Sequence, residues 1–365
     1  MRKSILLLVG LCLSLSFISS AQFEVYVTSG NGPSASSVKK FDATGNYLGD
    51  FIAPGASPLN WPQDILFIEN NTIALVSGLN NNAIFRYDGS TGALIDTFAA
   101  NISGPTRMKI GADGYLYALE WNGGARVMRY DLQGNFMDTF TNIAVNNSIG
   151  LDWDSAGNLY VSSYNENAVY RFDPNGNYMD TPISSGLSGP TTIWFDATGD
   201  LYVCNWNGNF VKRFDTSFVE QSNNFGTISK PEGFVEMANG DLLLGSGGPS
   251  SSVRRYDALG NFIASFATGN GLANPNAIYI KQSQADLDER SVDSPRVYPT
   301  IGTRFYIHGL LKSNREEIIL TGINGQWTKQ IELKEGNYFD ADDLSDGVYF
   351  VSIDGGQPQR ITVKK

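Results

Sequence analysis

The sequence predicts an all-β chain in two domains. Three observations predict it: a strand-rich unit recurring about every 42 residues, glycine and proline scattered along the whole length, and a change of pattern near residue 281. The 365 residues include 39 Gly and 14 Pro, more interruptions than long helices absorb without losing backbone hydrogen bonds. An apolar content of 42% with 17% charged residues is enough to bury a large core. Lys and Arg total 26 against 37 Asp and Glu, a net charge of −11, which argues against nucleic-acid binding through a basic face.

Residues 1–21 read as a secretory signal. Arg2 and Lys3 precede an apolar run from Ile5 to Ile18, and small residues Ser19 and Ala21 sit at the cleavage positions. A membrane anchor needs about 20 uninterrupted apolar residues, and Ser14, Ser16, Ser19 and Ser20 break this stretch. No later segment is apolar enough to span a bilayer, so the mature protein, starting at Gln22, is expected to be secreted or attached to the outer cell surface. Cys12 leaves with the signal and no lipidation-type Cys sits at the cleavage point. Cys204 is left alone, which rules out an internal disulfide and a Cys-rich zinc cluster and fits a small buried apolar side chain.

The repeat is clearest where Val127-Met-Arg-Tyr-Asp-Leu-Gln-Gly134 returns as Val169-Tyr-Arg-Phe-Asp-Pro-Asn-Gly176, Val253-Arg-Arg-Tyr-Asp-Ala-Leu-Gly260 and Val38-Lys-Lys-Phe-Asp-Ala-Thr-Gly45. Looser copies end at Asp88 and Asp215. The six aspartates, Asp42, Asp88, Asp131, Asp173, Asp215 and Asp257, are 46, 43, 42, 42 and 42 residues apart. Strand-like units at this period mean a propeller.

Each unit holds four strands. In the unit opening at Pro190, these are Thr191 to Asp196, Leu201 to Asn205, Phe210 to Asp215 and a short outer strand after the Asp-x-x-Gly turn. The turn follows from local chemistry: the Asp side chain bonds its own backbone, and Gly takes the positive φ that other residues resist. Phe23 to Phe51 lacks an inner strand, and Asn274 to Ile280 is an inner strand with no blade after it. The two ends should therefore share one blade and close a ring of six, removing the open sheet edge. The Pro-opened inner strand, the Gly-x-Leu-Tyr-Val step and the Arg-Tyr-Asp-x-x-Gly-Asn strand resemble NHL-type repeats. These belong to the wider group of six-bladed propellers that includes the gluconolactonase-like enzymes.

Residues 281–294 are polar and read as a linker between a propeller at 22–280 and a small β-sandwich at 295–365. In the tail, Phe305 to Leu311, Glu317 to Thr321, Gln326 to Leu333, Gly347 to Ile353 and Gln359 to Lys364 alternate like strands. Three ordered motifs resemble the C-terminal sorting domain of the type IX secretion system of the Bacteroidota: Val297-Tyr298-Pro299, Asp343-Leu-Ser-Asp-Gly-Val-Tyr-Phe-Val351, and Arg360-Ile-Thr-Val-Lys-Lys365. In that family Tyr-Pro usually continues with Asn-Pro, where this chain has Thr300-Ile301. The resemblance implies passage across the outer membrane by that machinery, removal of the tail, and release or surface attachment.

The repeat serves as an internal control for function, because a residue type present in every blade is expected to be structural. Lys40, Arg86, Arg129, Arg171, Arg213 and Arg255 share one register, and so do the aromatics Phe41, Tyr87, Tyr130, Phe172, Phe214 and Tyr256. The first set is expected to be paired charges between blades and the second to be core. Residues that break the repeat cluster at the inner-strand starts and at the loops between second and third strands, which share one face where the channel opens. Trp61, Arg107, Glu120, Trp121, Tyr164, Asn205 and Trp206 there suit a non-catalytic binding face for an extracellular glycan or protein. The alternative is a hydrolase of lactonase or esterase type. The gluconolactonase-like resemblance implies a divalent cation in the channel, and oxygen ligands from Asp64, Glu120, Asn205 and Glu232 would suit calcium. The only histidine is His308, in the tail, so a His general base, a Ser-His-Asp triad, a His-ligated zinc and lyases that need His have no residue in the propeller. Asp152-Trp-Asp-Ser-Ala-Gly157 reads as a turn and not a calcium loop, and no Gly pair carries a phosphate-loop Lys.

Overall fold

The computed structural model describes residues 23–30 and 32–282, and in the C-terminal part 296–298, 301–302, 304–308, 318–322, 328–332, 338–345, 347–353, 359–363 and 365. The signal at 1–21 and most of the linker lie outside the described residues. The chain divides into two compact units, 1–281 and 282–365.

The first unit is a propeller of six four-stranded antiparallel blades. The innermost strands are Pro275–Gln282 in blade 1, then Pro62–Ile68, Pro105–Ile110, Ser148–Trp153, Pro190–Phe195 and Pro231–Glu236 in blades 2 to 6. Blade 1 is completed by Phe23–Ser29, Ser37–Asp42 and Tyr47–Ile52, with Pro275–Gln282 paired beside Phe23–Ser29. The ring is therefore closed by the two ends of the unit, and Ala277 N–H donates to Thr28 Oγ1 at 2.8 Å across that seam. The inner strand runs two residues past Ile280, into what reads as linker. Lys281 is polar in sequence but in place, with its ammonium 4.8 Å from the Phe67 ring and donating to the Gly89 carbonyl at 2.6 Å.

Local chemistry builds the blades as the repeat implies. Asp173 Oδ1 accepts the Asn175 and Asn177 amides at 2.8 and 2.9 Å, and Asp131 and Asp257 repeat the arrangement. Bonds from the Asn that directly follows the turn glycine, Asn135, Asn177 and Asn261, hold these carboxyls below the usual carboxylate range. The turn glycine does a second job. A Cβ on Gly92 (φ +72°) would drive into the Phe51 carbonyl of the preceding blade, and Gly45, Gly134 and Gly176 stand likewise against Phe266, Phe98 and Phe140. Blade 5 has no such glycine: Phe218 takes the positive φ, at +60°, and packs on Tyr160.

The repeated aromatics are core, from Phe41 and Phe172 at 0% exposure to Tyr130 at 5%. The repeated cations are not buried between blades. Arg171 pairs with Asp180 and Arg129 with Asp138 on their own blade's outer strand, and Arg213 with Asp200, with the arginine side chains about a quarter to a third exposed. A guanidinium keeps water on one side there, which costs less than burial between sheets.

The second unit holds a three-stranded sheet (Arg296–Tyr298, Arg304–His308, Tyr338–Asp340) and a five-stranded one that includes Ile318–Gly322, Gly347–Ile353 and Gln359–Val363. Phe305 and Phe339 from the first meet Leu320, Val351 and Ile361 from the second in one buried core. Arg296–Tyr298 and Tyr338–Asp340 are strands too short to show alternation in the sequence.

Candidate functional site at the channel mouth

Proline or serine opens every inner strand, and in blades 2 to 6 the pairing to the second strand slips immediately after it, as between Pro62 and Asp64 or Pro190 and Ile193. Such a bulge re-aims the side chains beside it. Here it delivers the residues that break the repeat. Some tie neighbouring blades: Thr106 Oγ1 donates to the Ser148 carbonyl at 2.9 Å, Thr191 Oγ1 to Pro231 at 2.8 Å, and Asn276 Nδ2 to Pro62 at 2.9 Å.

Arg107 crosses the channel. Its guanidinium donates to the Gln63 and Asn276 carbonyls and to Thr192 Oγ1 at 3.0 Å, and it lies 3.3 Å from Glu232 Oε1. Four strands from blades 2, 5, 6 and 1 are thus joined to blade 3 through one side chain. The Gln63 amide, oriented to satisfy its neighbours, donates to Glu232 Oε1 at 2.8 Å and accepts from Trp61 Nε1 at 3.0 Å. Asp64 accepts the Ile65 and Met108 amides at 2.9 and 2.7 Å. Burial raises the carboxyls, Glu232 to about 7 and Asp64 to about 6, with Arg107 opposing. One guanidinium cannot offset two buried carboxylates, so the trio keeps a proton to near neutral pH.

Of the residues expected at a binding mouth, Arg107, Glu120 and Asn205 are buried and occupied instead. Glu120 Oε1 accepts the Ser103 amide at 3.0 Å and Asn205 Oδ1 accepts the Ser188 amide at 2.8 Å. Each thereby holds the loop that enters its own blade's inner strand. They occupy one register, the last residue of the second strands Leu116–Glu120 and Leu201–Asn205, so what reads as a break in the repeat is a conserved geometry carried by different side chains.

Trp121, Tyr164 and Trp206 each follow the second strand of blades 3, 4 and 5, half-buried, while the same place holds Leu79 in blade 2 and Gly247 and Gly30 in blades 6 and 1. The result is an aromatic arc over half the rim. Trp121 and Tyr164 have ring centroids 5.4 Å apart at 57°, Tyr164 Oη donates to Asn207 Oδ1 at 3.0 Å, and Lys230 Nζ lies 5.3 Å from the Trp206 ring. Exposed Asn122, Asn165 and Asn207 follow the three rings directly. Trp61 stands beside Gly30 on the other side with φ +56°, a strained backbone for a bulky residue. It is held there by the Ser36 hydroxyl on its amide at 2.9 Å and the Leu79 amide on its carbonyl at 3.1 Å.

The four residues named for calcium do not fit it. Glu232 faces the Arg107 guanidinium, and Asp64, Glu120 and Asn205 spend their oxygens on separate backbone amides. Among the described residues no three His, Cys, Asp or Glu side chains are gathered as an ion site requires. Cys204 is fully buried in the core, which pushes its thiol well up.

Neither a family model nor a curated protein sequence matches the chain. Solved structures do. A structure from a nidogen/laminin complex superposes with TM-score 0.59 at 13% identity, over 72% of this chain and 99% of that one. A protein of unknown function from Bacteroides caccae gives 0.57 at 14% identity, over 72% and 99%. A virginiamycin B lyase from Staphylococcus aureus gives 0.50 at 16%, over 72% and 95%. A putative gluconolactonase gives 0.51 at 16%, over 62% and 86%. At these identities the likeness shows the six-bladed fold, which serves binding proteins and enzymes alike.

Proposed function

We propose that the chain is an exported, non-catalytic binding protein whose propeller mouth recognises an extracellular glycan. The observation that carries this reading is the Trp121–Tyr164–Trp206 arc, in which three successive blades place a flat ring at one register with an exposed Asn amide after it. Rings stack on the apolar faces of sugars at little entropic cost, and amides pair with adjacent hydroxyls. A catalytic reading finds less to work with. One of the similar lyases is described as inactive once a histidine is replaced by alanine, and the only histidine here is His308, outside the propeller. The channel itself is crossed by the Arg107 guanidinium, whose positive charge opposes a cation there. The tail motifs and the leader supply the address, the type IX secretion machinery being the partner of the C-terminal unit and the outer surface or medium the destination.

The test is a glycan array, followed by titration of the best hit against the Trp121→Ala, Trp206→Ala double variant. Loss of two stacking rings should weaken binding by about a hundredfold. Unchanged affinity would place the ligand elsewhere, and a protein ligand captured in place of any glycan would reject the sugar assignment. For the address, a chain ending at residue 281 should stay in the periplasm; its arrival at the surface would sink the sorting reading.

A further inference from the structure

Below Arg107 the channel reopens. A cavity of about 350 Å3 lies among the third to sixth residues of the inner strands, from Asp64 and Leu66 round to Phe234 and Tyr279. It belongs to the opposite side of the Arg107 strut from the aromatic arc, and the exposed side chains at its edge, Lys109 and Glu236, place its opening at the far ends of the inner strands. Its volume falls in the range of small-molecule sites.

Blades 3 and 6 face each other across a six-membered ring, and the Arg107–Glu232 pair spans that distance directly. Further down, the same two strands carry a second pair of opposite sign, Lys109 and Glu236. This pair is not closed. The Lys109 ammonium turns sideways to Asp152 of blade 4, and the exposed Glu236 side chain makes no hydrogen bond or ion pair among the described residues. Asp152 also accepts the Trp153 and Phe195 amides at 2.8 and 3.0 Å, so it engages the lysine through one oxygen only. An ammonium has three donors, so Lys109, with its side chain 46% exposed, keeps donors for a ligand. Beside Asp64, Asp152 and Arg107, which also line the cavity, the wall offers an apolar part in Phe234, its ring stacked 3.8 Å from Trp194, and Tyr279.

We infer that this lower cavity binds a small zwitterion with an apolar body, a free α-amino acid or short peptide. Its carboxylate would meet Lys109, its ammonium Glu236, and its side chain the Phe234 and Tyr279 wall. A simple anion or cation would satisfy one wall and leave the other charge unpaired, which is where discrimination comes from.

The experiment is calorimetric titration of the full chain with L-phenylalanine and L-leucyl-L-phenylalanine, against phenylacetate and phenethylamine as single-charge analogues. Binding of a zwitterion tighter than about 1 mM is expected, with each analogue weaker by about tenfold or more. Lys109→Met should remove the preference over phenethylamine and Glu236→Gln the preference over phenylacetate. Thermal melting of both variants checks that the fold is kept. No binding of either zwitterion, analogues that bind as well, or affinity indifferent to both substitutions would overturn the assignment. A glycan-binding mouth could survive any of these results, and this cavity could survive failure of the mouth.

Discussion

The rim of the propeller and its axis are built by opposite rules. At the rim the blades repeat variants of one solution: an Asp-capped turn, in most blades a glycine against the preceding blade, and a cation, arginine in five blades and Lys40 in the first, paired near the surface. The charge pairs among them are local and water-accessible, and each is worth little alone. At the axis nothing repeats. A single guanidinium from blade 3 reaches strands of four other blades, and the carboxylates it faces are buried. Six weak copies hold a ring by number, whereas one unrepeated strut holds it by position, and the two should fail differently.

The largest effect is expected at the strut. Arg107→Met leaves Glu232 and Asp64 buried without a cation and should cost about 3–5 kcal/mol in denaturant unfolding. Adding Glu232→Leu should recover much of that loss, because an apolar pair can replace a buried ion pair. A single variant within 1 kcal/mol of the parent would mean the axis is as redundant as the rim.

A glycine turn should come next. Gly92→Ala must adopt φ +72° and displace the Phe51 carbonyl, a loss of about 2–3 kcal/mol. A neutral result would show that neighbouring blades can slide apart without penalty.

The axis also carries a pH signature that the rim lacks. Glu232 titrates near 7 and Asp64 near 6 when folded, above their unfolded values of about 4. The folded state therefore binds more protons between about pH 4 and 7, and the contribution of these groups to stability, full below that window, is lost as pH rises through it. Melting temperatures compared at pH 5 and pH 8 should fall more steeply in the parent than in Glu232→Gln, by the equivalent of on the order of 2 kcal/mol. Parallel profiles would place the titration elsewhere.

The smallest effect belongs to a single rim pair. Arg171→Ala breaks a 2.9 Å bond to Asp180 whose carboxylate is about half exposed, and should change stability by about 1 kcal/mol or less. A loss as large as that at Arg107 would erase the distinction.

The same contrast explains what could be read from the residues alone. Asp42 to Asp257 announced six blades because their turn chemistry is local, and Phe23 to Phe51 announced its missing partner by lacking an inner strand. The arc of Trp121, Tyr164 and Trp206 was legible as a departure from the repeat. Arg107, Glu120 and Asn205 departed from it too, yet are buried. Whether a side chain points to solvent or across the axis depends on a bulge after the opening proline and on partners from distant blades, and neither is written nearby. Lys109 and Glu236 left no signal of their own, since each lies on an inner strand that already carries a charge, Arg107 or Glu232, and only the cavity sets them apart.

Closure by the two ends has a consequence in time. Thr28 meets Ala277, 249 residues later, so three strands of the first blade emerge with an unpaired edge and wait through the making of every other blade. Arg107 waits as well, since Glu232 and Asn276 are also far behind it. A ring whose first strand needs its last cannot be completed in instalments; the slow, long-range step is postponed to the end, where one strand of eight residues decides whether five finished blades become a closed body or remain an open, adhesive arc.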